Sequence, residues 1–253
     1  MARRIKMIVA YDGKKFSGWQ VQREERTVQG VIEAALESME KQTVRVTAAG
    51  RTDSGVHARG QVVHFDTTLS SIEADRFAPA LNAILPADVR IVGSSAVPDD
   101  FHARYSAKAR SYRYFLYPGV CVSPFLRPYC YAPRSLPSIG SLNRAVSPLL
   151  GSHDFSSLSA AGDPSPSKVR VIYQAVFLQH RGMIEFRITG NAFLWRMVRS
   201  IVGTALEVAS AEDPARAMRL ILDEKDRSLA GTTAPARGLF FWRVHYTMEQ
   251  LYG

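Results

Sequence analysis

Two apolar strands in this chain end in nearly the same way. The stretch Ile5–Gly13 closes on Tyr-Asp-Gly, and the stretch Ser111–Gly119 closes on Tyr-Pro-Gly. Each is followed by a helix pattern, more strands and a second helix pattern. An order of elements that occurs twice confines the chain to two related halves. Strands are predicted at Ile5–Tyr11, Val44–Ala49, Gln61–Asp66, Val89–Ala96, Ser111–Tyr117, Val169–Leu178, Met183–Thr189 and Leu239–Tyr246. Between them, Val28, Val31, Ile32, Ala35, Leu36 and Met39 recur at the spacing of one buried helix face. Pro79 reads as the first residue of a short helix, where proline is tolerated. Ser138 and Asp213-Pro214 read as the openings of two others. Phe193, Met197, Ile201, Ala205 and Val208 form one more apolar stripe. Strands and helices are mixed rather than strictly alternating. The expected fold class is therefore α+β, each half with a mixed, largely antiparallel sheet and helices on one face. The halves are 1–104 and 105–253, joined near Arg104–Lys108, and the natural binding site is the cleft between them.

Charge points to a polyanionic partner. Lys plus Arg number 32 against 23 Asp plus Glu, a formal net charge of +9 over 253 residues. Each phosphate that such a surface neutralises releases counterions, which favours nucleic acid. Other classes are disfavoured. Cys121 and Cys130 are the only cysteines, the six histidines are scattered, and no ligand spacing for zinc occurs, so no metal site is expected. No phosphate loop of the Gly-x-x-x-x-Gly-Lys type and no Gly-x-Gly-x-x-Gly after a strand is present. The basic start has too short an apolar run for a signal peptide, and no run of about 20 apolar residues spans a membrane. A cytoplasmic protein without a membrane partner is expected.

Three clusters carry chemistry. Val44–Ala49 runs into Gly50-Arg51-Thr52-Asp53-Ser54-Gly55-Val56-His57, which puts a carboxylate on a tight loop at a strand's end. Glycines there let a ligand come close, and a neighbouring guanidinium keeps the carboxylate charged. Asp53 is then either a nucleophile or, as Asp between glycines ordinarily is, a turn residue capping its own backbone. Next, residues 102–114 hold four cations and three tyrosines. Arg110, Tyr112, Tyr114 and Leu116 share one strand face. Tyr114 and Phe115 suit the core, while Tyr112 suits stacking on a base, worth about 1–3 kcal/mol. The loop Tyr11–Gln22 adds Lys14, Lys15, Trp19 and Gln20, with Arg23 just beyond. Trp195-Arg196-Met197-Val198-Arg199 places Arg196 and Arg199 three apart, on one face of a helix. Residues Ser156–Lys168, rich in small residues and prolines and lacking an apolar anchor, read as a mobile surface loop. Such a loop either closes over a ligand or merely connects.

These motifs, in this order, resemble the tRNA pseudouridine synthase A (TruA) family, which isomerises uridines in the anticodon arm. The resemblance runs from Tyr11-Asp12-Gly13 and Gly18-Trp19-Gln20 through Gly50-Arg51-Thr52-Asp53, Gly55-Val56-His57 and Gln61-Val62-Val63-His64-Phe65. It continues through Asp100-Phe101-His102-Ala103-Arg104 and Tyr112-Arg113-Tyr114 to Asn191-Ala192-Phe193-Leu194 and Met197-Val198-Arg199. It implies an isomerase acting at positions 38–40 of tRNA, with Asp53 catalytic and Tyr112, Arg51 and Arg199 against the substrate. It also implies a homodimer. Breaking N1–C1′ and joining C5 to C1′ transfers no electrons or phosphate, so no cofactor is expected. Lys14, Lys15, Gln20, Arg23, Arg104, Lys108 and Arg110 are the expected RNA contacts. Ser54 departs from the alanine usual after the aspartate. Two rival functions share the charge and the tyrosines: a pseudouridine synthase with another RNA target, and a non-catalytic RNA-binding protein of the same fold.

Overall fold

The computed structural model describes residues 3–119 and 121–249. Its strands are β1 (Arg3–Tyr11), β2 (Thr47–Ala48), β3 (His57–Thr67), β4 (Val89–Val97), β5 (Ala109–Leu116), β6 (Gly151–Asp154), β7 (Val169–His180), β8 (Met183–Gly190) and β9 (Leu239–His245). Its helices are α1 (Val28–Glu40), α2 (Phe77–Ile84), α3 (Ile139–Val146), α4 (Met197–Val208) and α5 (Pro214–Glu224). The fold is α+β and mostly antiparallel, as the mixed order of elements predicts.

The chain forms two compact units. One is built from the chain up to Lys108 and again from Phe240; the other is Ala109–Leu239. The division 1–104 and 105–253 lacks that return. In the first unit β1 lies between β4 and β3, antiparallel to both. The alternate residues Ile5, Met7 and Val9 are wholly buried, the period-2 signature of a half-buried strand. The last strand, β9, pairs with β3 in parallel, His57 opposite Phe240 and Ala58 opposite Phe241.

Only Thr47 and Ala48 of the expected strand Val44–Ala49 join the sheet. The reason is Glu33 of α1, a buried carboxylate that accepts the Val46 N–H at 3.0 Å and pairs with Arg45 at 2.7 Å. A side chain has taken the bond that a neighbouring strand would have supplied. Helix α2 begins at Phe77, two residues before Pro79. Proline still sits in the first turn, whose N–H groups have no partner within the helix.

In the second unit the order is β5-β8-β7-β6, each neighbour antiparallel. Tyr114, Leu116, Phe177, Phe186 and Ile188 are fully buried, and the Phe177 and Phe186 rings stack at 4.4 Å. Burial of each such side chain contributes about 1.5–3 kcal/mol. Ser138 caps α3 through the Ser141 N–H, and Asp213 caps α5 through the N–H groups of Ala215 and Arg216, with Pro214 first in that helix. Both starts agree with the sequence signals. Among the described residues no helix is long and apolar enough to cross a membrane.

His64 on β3 makes the first unit pH-sensitive. Its Nδ1 accepts the Ala103 N–H at 3.1 Å, a role only the neutral ring can fill. Burial first, then the charges of Arg4 and His102, push its pKa from 6.5 down to about 4. The unfolded chain therefore takes up a proton near pH 6.5 that the folded chain refuses until about pH 4. Stability falls as pH drops through that window, by on the order of 2 kcal/mol between pH 7 and 5. Urea unfolding at the two pH values measures this, and His64→Gln is expected to flatten the difference.

Candidate active site

Asp53 lies between β2 and β3, within the first unit, and is half-buried. Its loop is fastened to the loop that follows β1. The Trp19 N–H donates to the Thr52 carbonyl at 3.0 Å, and the Gly55 N–H to the Phe16 carbonyl at 3.4 Å. The Ser54 hydroxyl adds a 3.2 Å bond to the same carbonyl, which an alanine there would lack. Within the loop, the Val56 N–H closes a turn on the Asp53 carbonyl at 3.1 Å, with Gly55 at φ +76°. A positive φ at this position is what favours glycine in such turns. The turn therefore uses the backbone carbonyl of Asp53.

Gly13 is required for a different reason. A Cβ there would lie 2.0 Å from the Val56 carbonyl oxygen, so the two loops touch backbone to backbone. The Gly13 N–H also donates to His57 Nδ1 at 3.1 Å. The Asp12 carboxylate is 3.1 Å from the same nitrogen. One ring nitrogen cannot both accept from Gly13 and donate to Asp12. His57 is 1% exposed and stacked on Phe240 at 4.6 Å. Trp19 is buried at 2% and belongs to the packing of this loop.

The second unit positions Tyr112 and Arg199. Tyr112 is on β5 opposite Ile188 of β8, 8% exposed, with its ring edge-on to Phe193 at 5.0 Å. Arg110, on the same face, is equally buried, and its guanidinium donates to the Asn191 carbonyl at 2.8 Å. Tyr114, next on that face, is core, its hydroxyl donating to the Pro235 carbonyl at 2.8 Å. Burial raises its pKa above the ordinary tyrosine value. Arg199 lies in the first turn of α4. Its Nε donates to the Ala234 carbonyl at 2.8 Å, while its own carbonyl accepts the Ala234 N–H at 3.1 Å. The first bond holds the guanidinium by its Nε, and the second holds the Arg199 main chain to the same residue.

Arg196 does not share the helix with Arg199. It precedes α4 in the left-handed region at φ 60°, exposed, its guanidinium 4.8 Å from the exposed Trp195 ring. Phe193 likewise lies before the helix. The segment Ser156–Lys168 has anchors that its composition hides. Leu158 and Ser157 are fully buried. The Asp163 side chain, 3% exposed, accepts from Lys168 Nζ at 2.8 Å and from the Ser165 and Trp195 N–H groups. Burial opposes its charge, but these donors outweigh that and hold its pKa well below the usual carboxylate range.

The remaining expected RNA contacts are exposed: Lys14, Lys15, Gln20, Arg23, Arg104 and Lys108, with Arg51 beside Asp53. Arg23 faces Glu24 at 3.5 Å with both side chains in solvent, a pair worth little. Arg104 lies 5.7 Å from the Tyr105 ring. Among the described residues no group of three or more His, Cys, Asp or Glu side chains is arranged to hold a metal ion. Nothing in the residue pattern marks Tyr11, Thr52 and His57 as supports of the Asp53 loop. Gln61 carried a signal, a polar side chain inside the apolar strand that follows Asp53.

Comparison with known proteins places the chain in a family. Residues 7–106 and 145–247 match the family model described as tRNA pseudouridine synthase. The tRNA pseudouridine synthase A of Anoxybacillus flavithermus is 49% identical over 245 residues, covering 96% of this chain and 99% of that protein. The Geobacillus kaustophilus protein of the same name is 47% identical, covering 99% and 97%. That of Bacillus subtilis is 43% identical, covering 96% and 99%. Fold and match together define an enzyme of the isomerase class. The chain belongs to the tRNA pseudouridine synthase family, and its relatives carry the name tRNA pseudouridine synthase A.

Proposed function

We propose that this enzyme converts uridine to pseudouridine in the anticodon stem-loop of tRNA, at positions 38–40, with Asp53 as the reacting carboxylate. The observation that carries the reading is the Asp53 loop, bonded on both sides of the aspartate to the loop after β1. A carboxylate so fixed can meet a reacting carbon repeatedly in one geometry. The reaction breaks N1–C1′, turns the base and joins C5 to C1′; N1 gains a proton and C5 loses one. Nothing is transferred to a second molecule. The protein must therefore supply one ionised carboxylate beside the sugar, a pocket for a base taken out of its stack, and cations for the backbone.

Tyr112 supplies a ring against the extracted base, and Arg199, held through its Nε by the Ala234 carbonyl, supplies a cation. Arg51 supplies a second. The exposed Lys14, Lys15, Gln20, Arg23, Arg104 and Lys108 contact the RNA, and Arg110, more buried, contacts it from the Tyr112 face. The enzyme works in the cytoplasm as a homodimer, the arrangement implied by the family resemblance. The test is incubation of the purified protein with unmodified tRNA, then mapping of pseudouridine along it. Product on the 3′ side of the anticodon arm supports this function. Product elsewhere selects another RNA target, and no product on any RNA selects a binding protein.

A further inference from the structure

We propose that Tyr11, Thr52 and Gln61 form a buried brace whose task is to hold Asp53 in its reacting position. The inference rests on Asp53 being the reacting carboxylate. It starts from three polar side chains that no part of the reaction consumes. The Tyr11 hydroxyl and Thr52 Oγ1 lie 2.7 Å apart, with the two residues 5% and 8% exposed. Gln61 is wholly buried; its Nε2 donates to the Gly50 carbonyl at 2.8 Å, and its Oε1 accepts the Val62 N–H at 3.1 Å.

The targets of these bonds are what give them meaning. Gly50 and Thr52 are two of the three residues leading into Asp53. Thr52 is held by its side chain from Tyr11 and by its carbonyl from Trp19. A rigid rim of β1 and β3 thus reaches up and fixes the backbone directly before the carboxylate. Burying an amide and a phenol in apolar surroundings is unfavourable unless both are bonded, and here both are bonded to the same short stretch. Burial also raises the Tyr11 pKa well above its ordinary value, so the phenol keeps its proton wherever the enzyme is folded. A side chain that touches neither substrate nor reacting atoms, yet sets where the carboxylate stands, is a positioning residue.

The experiment uses Tyr11→Phe and Thr52→Val, which keep shape and lose the hydroxyl, and Thr52→Ser, which keeps it. RNA affinity and single-turnover rate are measured for each, beside Asp53→Asn. The expected result is a rate reduced by about 10–100-fold in Tyr11→Phe and Thr52→Val, with the RNA Kd unchanged and Thr52→Ser near the parent. Folding is followed separately by urea unfolding, because a purely structural role would lower stability and spare the rate of the folded fraction. Parental rates in both hydroxyl-less variants overturn the brace, as does a rate that falls only in step with the folded fraction. Asp53→Asn separates the two readings. If it is inactive and the brace variants are normal, only the brace is lost; if it is active, the catalytic role of Asp53 is lost first.

Discussion

Asp53→Asn is expected to bind tRNA as the parent does and to form pseudouridine at least about a thousandfold more slowly. An amide keeps the size and most hydrogen bonds of the carboxylate but carries no charge and is a poor nucleophile and base. A thousandfold loss corresponds to about 4 kcal/mol of transition-state stabilisation. The loop itself should survive, because its fastenings to Phe16 and Trp19, its turn to Val56 and the Ser54 bond leave the Asp53 side chain aside. Single-turnover rates at saturating enzyme, with Kd from a binding titration, separate the two effects. A parental rate would remove Asp53 from the chemistry, and a lost affinity would make it a binding residue.

Gly203→Ala is expected to cost about 3 kcal/mol of stability and to lower activity in the protein that still folds. Gly203 is in α4, where a Cβ would lie 1.7 Å from the Thr232 carbonyl oxygen. No side-chain rotation relieves a clash with backbone, so the helix must part from residues 232–234. That stretch includes Ala234, whose carbonyl and N–H both bond to Arg199. The substitution therefore loosens the arginine four residues away on the same helix. Urea unfolding gives the stability loss. A variant as stable as the parent would show that the helix shifts without penalty.

Much of this was legible in the sequence because it depends on local rules. The apolar strand Ile5–Tyr11, the cap at Ser138 and the Asp213-Pro214 start are written in adjacent residues. So is the loop bearing Asp53, whose glycines mark its tightness. What was not legible depends on side chains meeting backbone far along the chain. Glu33 takes the Val46 N–H and shortens a strand that its branched residues favour. Asp163 gathers Lys168 and the Trp195 N–H and, with the single buried Leu158, anchors a segment otherwise made of small residues and prolines. Strand β6, four residues with an exposed start, has no alternation to read. Arg196 fits a helical spacing but adopts a left-handed backbone that no spacing reveals. In the candidate site, the proposed reacting groups were visible as residue types and Gln61 stood out as a polar residue in an apolar strand, while Tyr11 and Thr52 look like any other strand and loop residues until their partners are known.

The parallel pairing of β9 with β3 has a consequence for biosynthesis. His57, at the foot of the Asp53 loop, rests on Phe240, and Gly60 meets the backbone of Trp242. A ribosome delivers those two aromatics some 180 residues after the loop they support. Unit Ala109–Leu239 can be complete while the aspartate's own half still waits for its closing strand. A nascent or prematurely terminated polypeptide that stops before Phe240 would therefore lack the two aromatics against which His57 and Gly60 are packed.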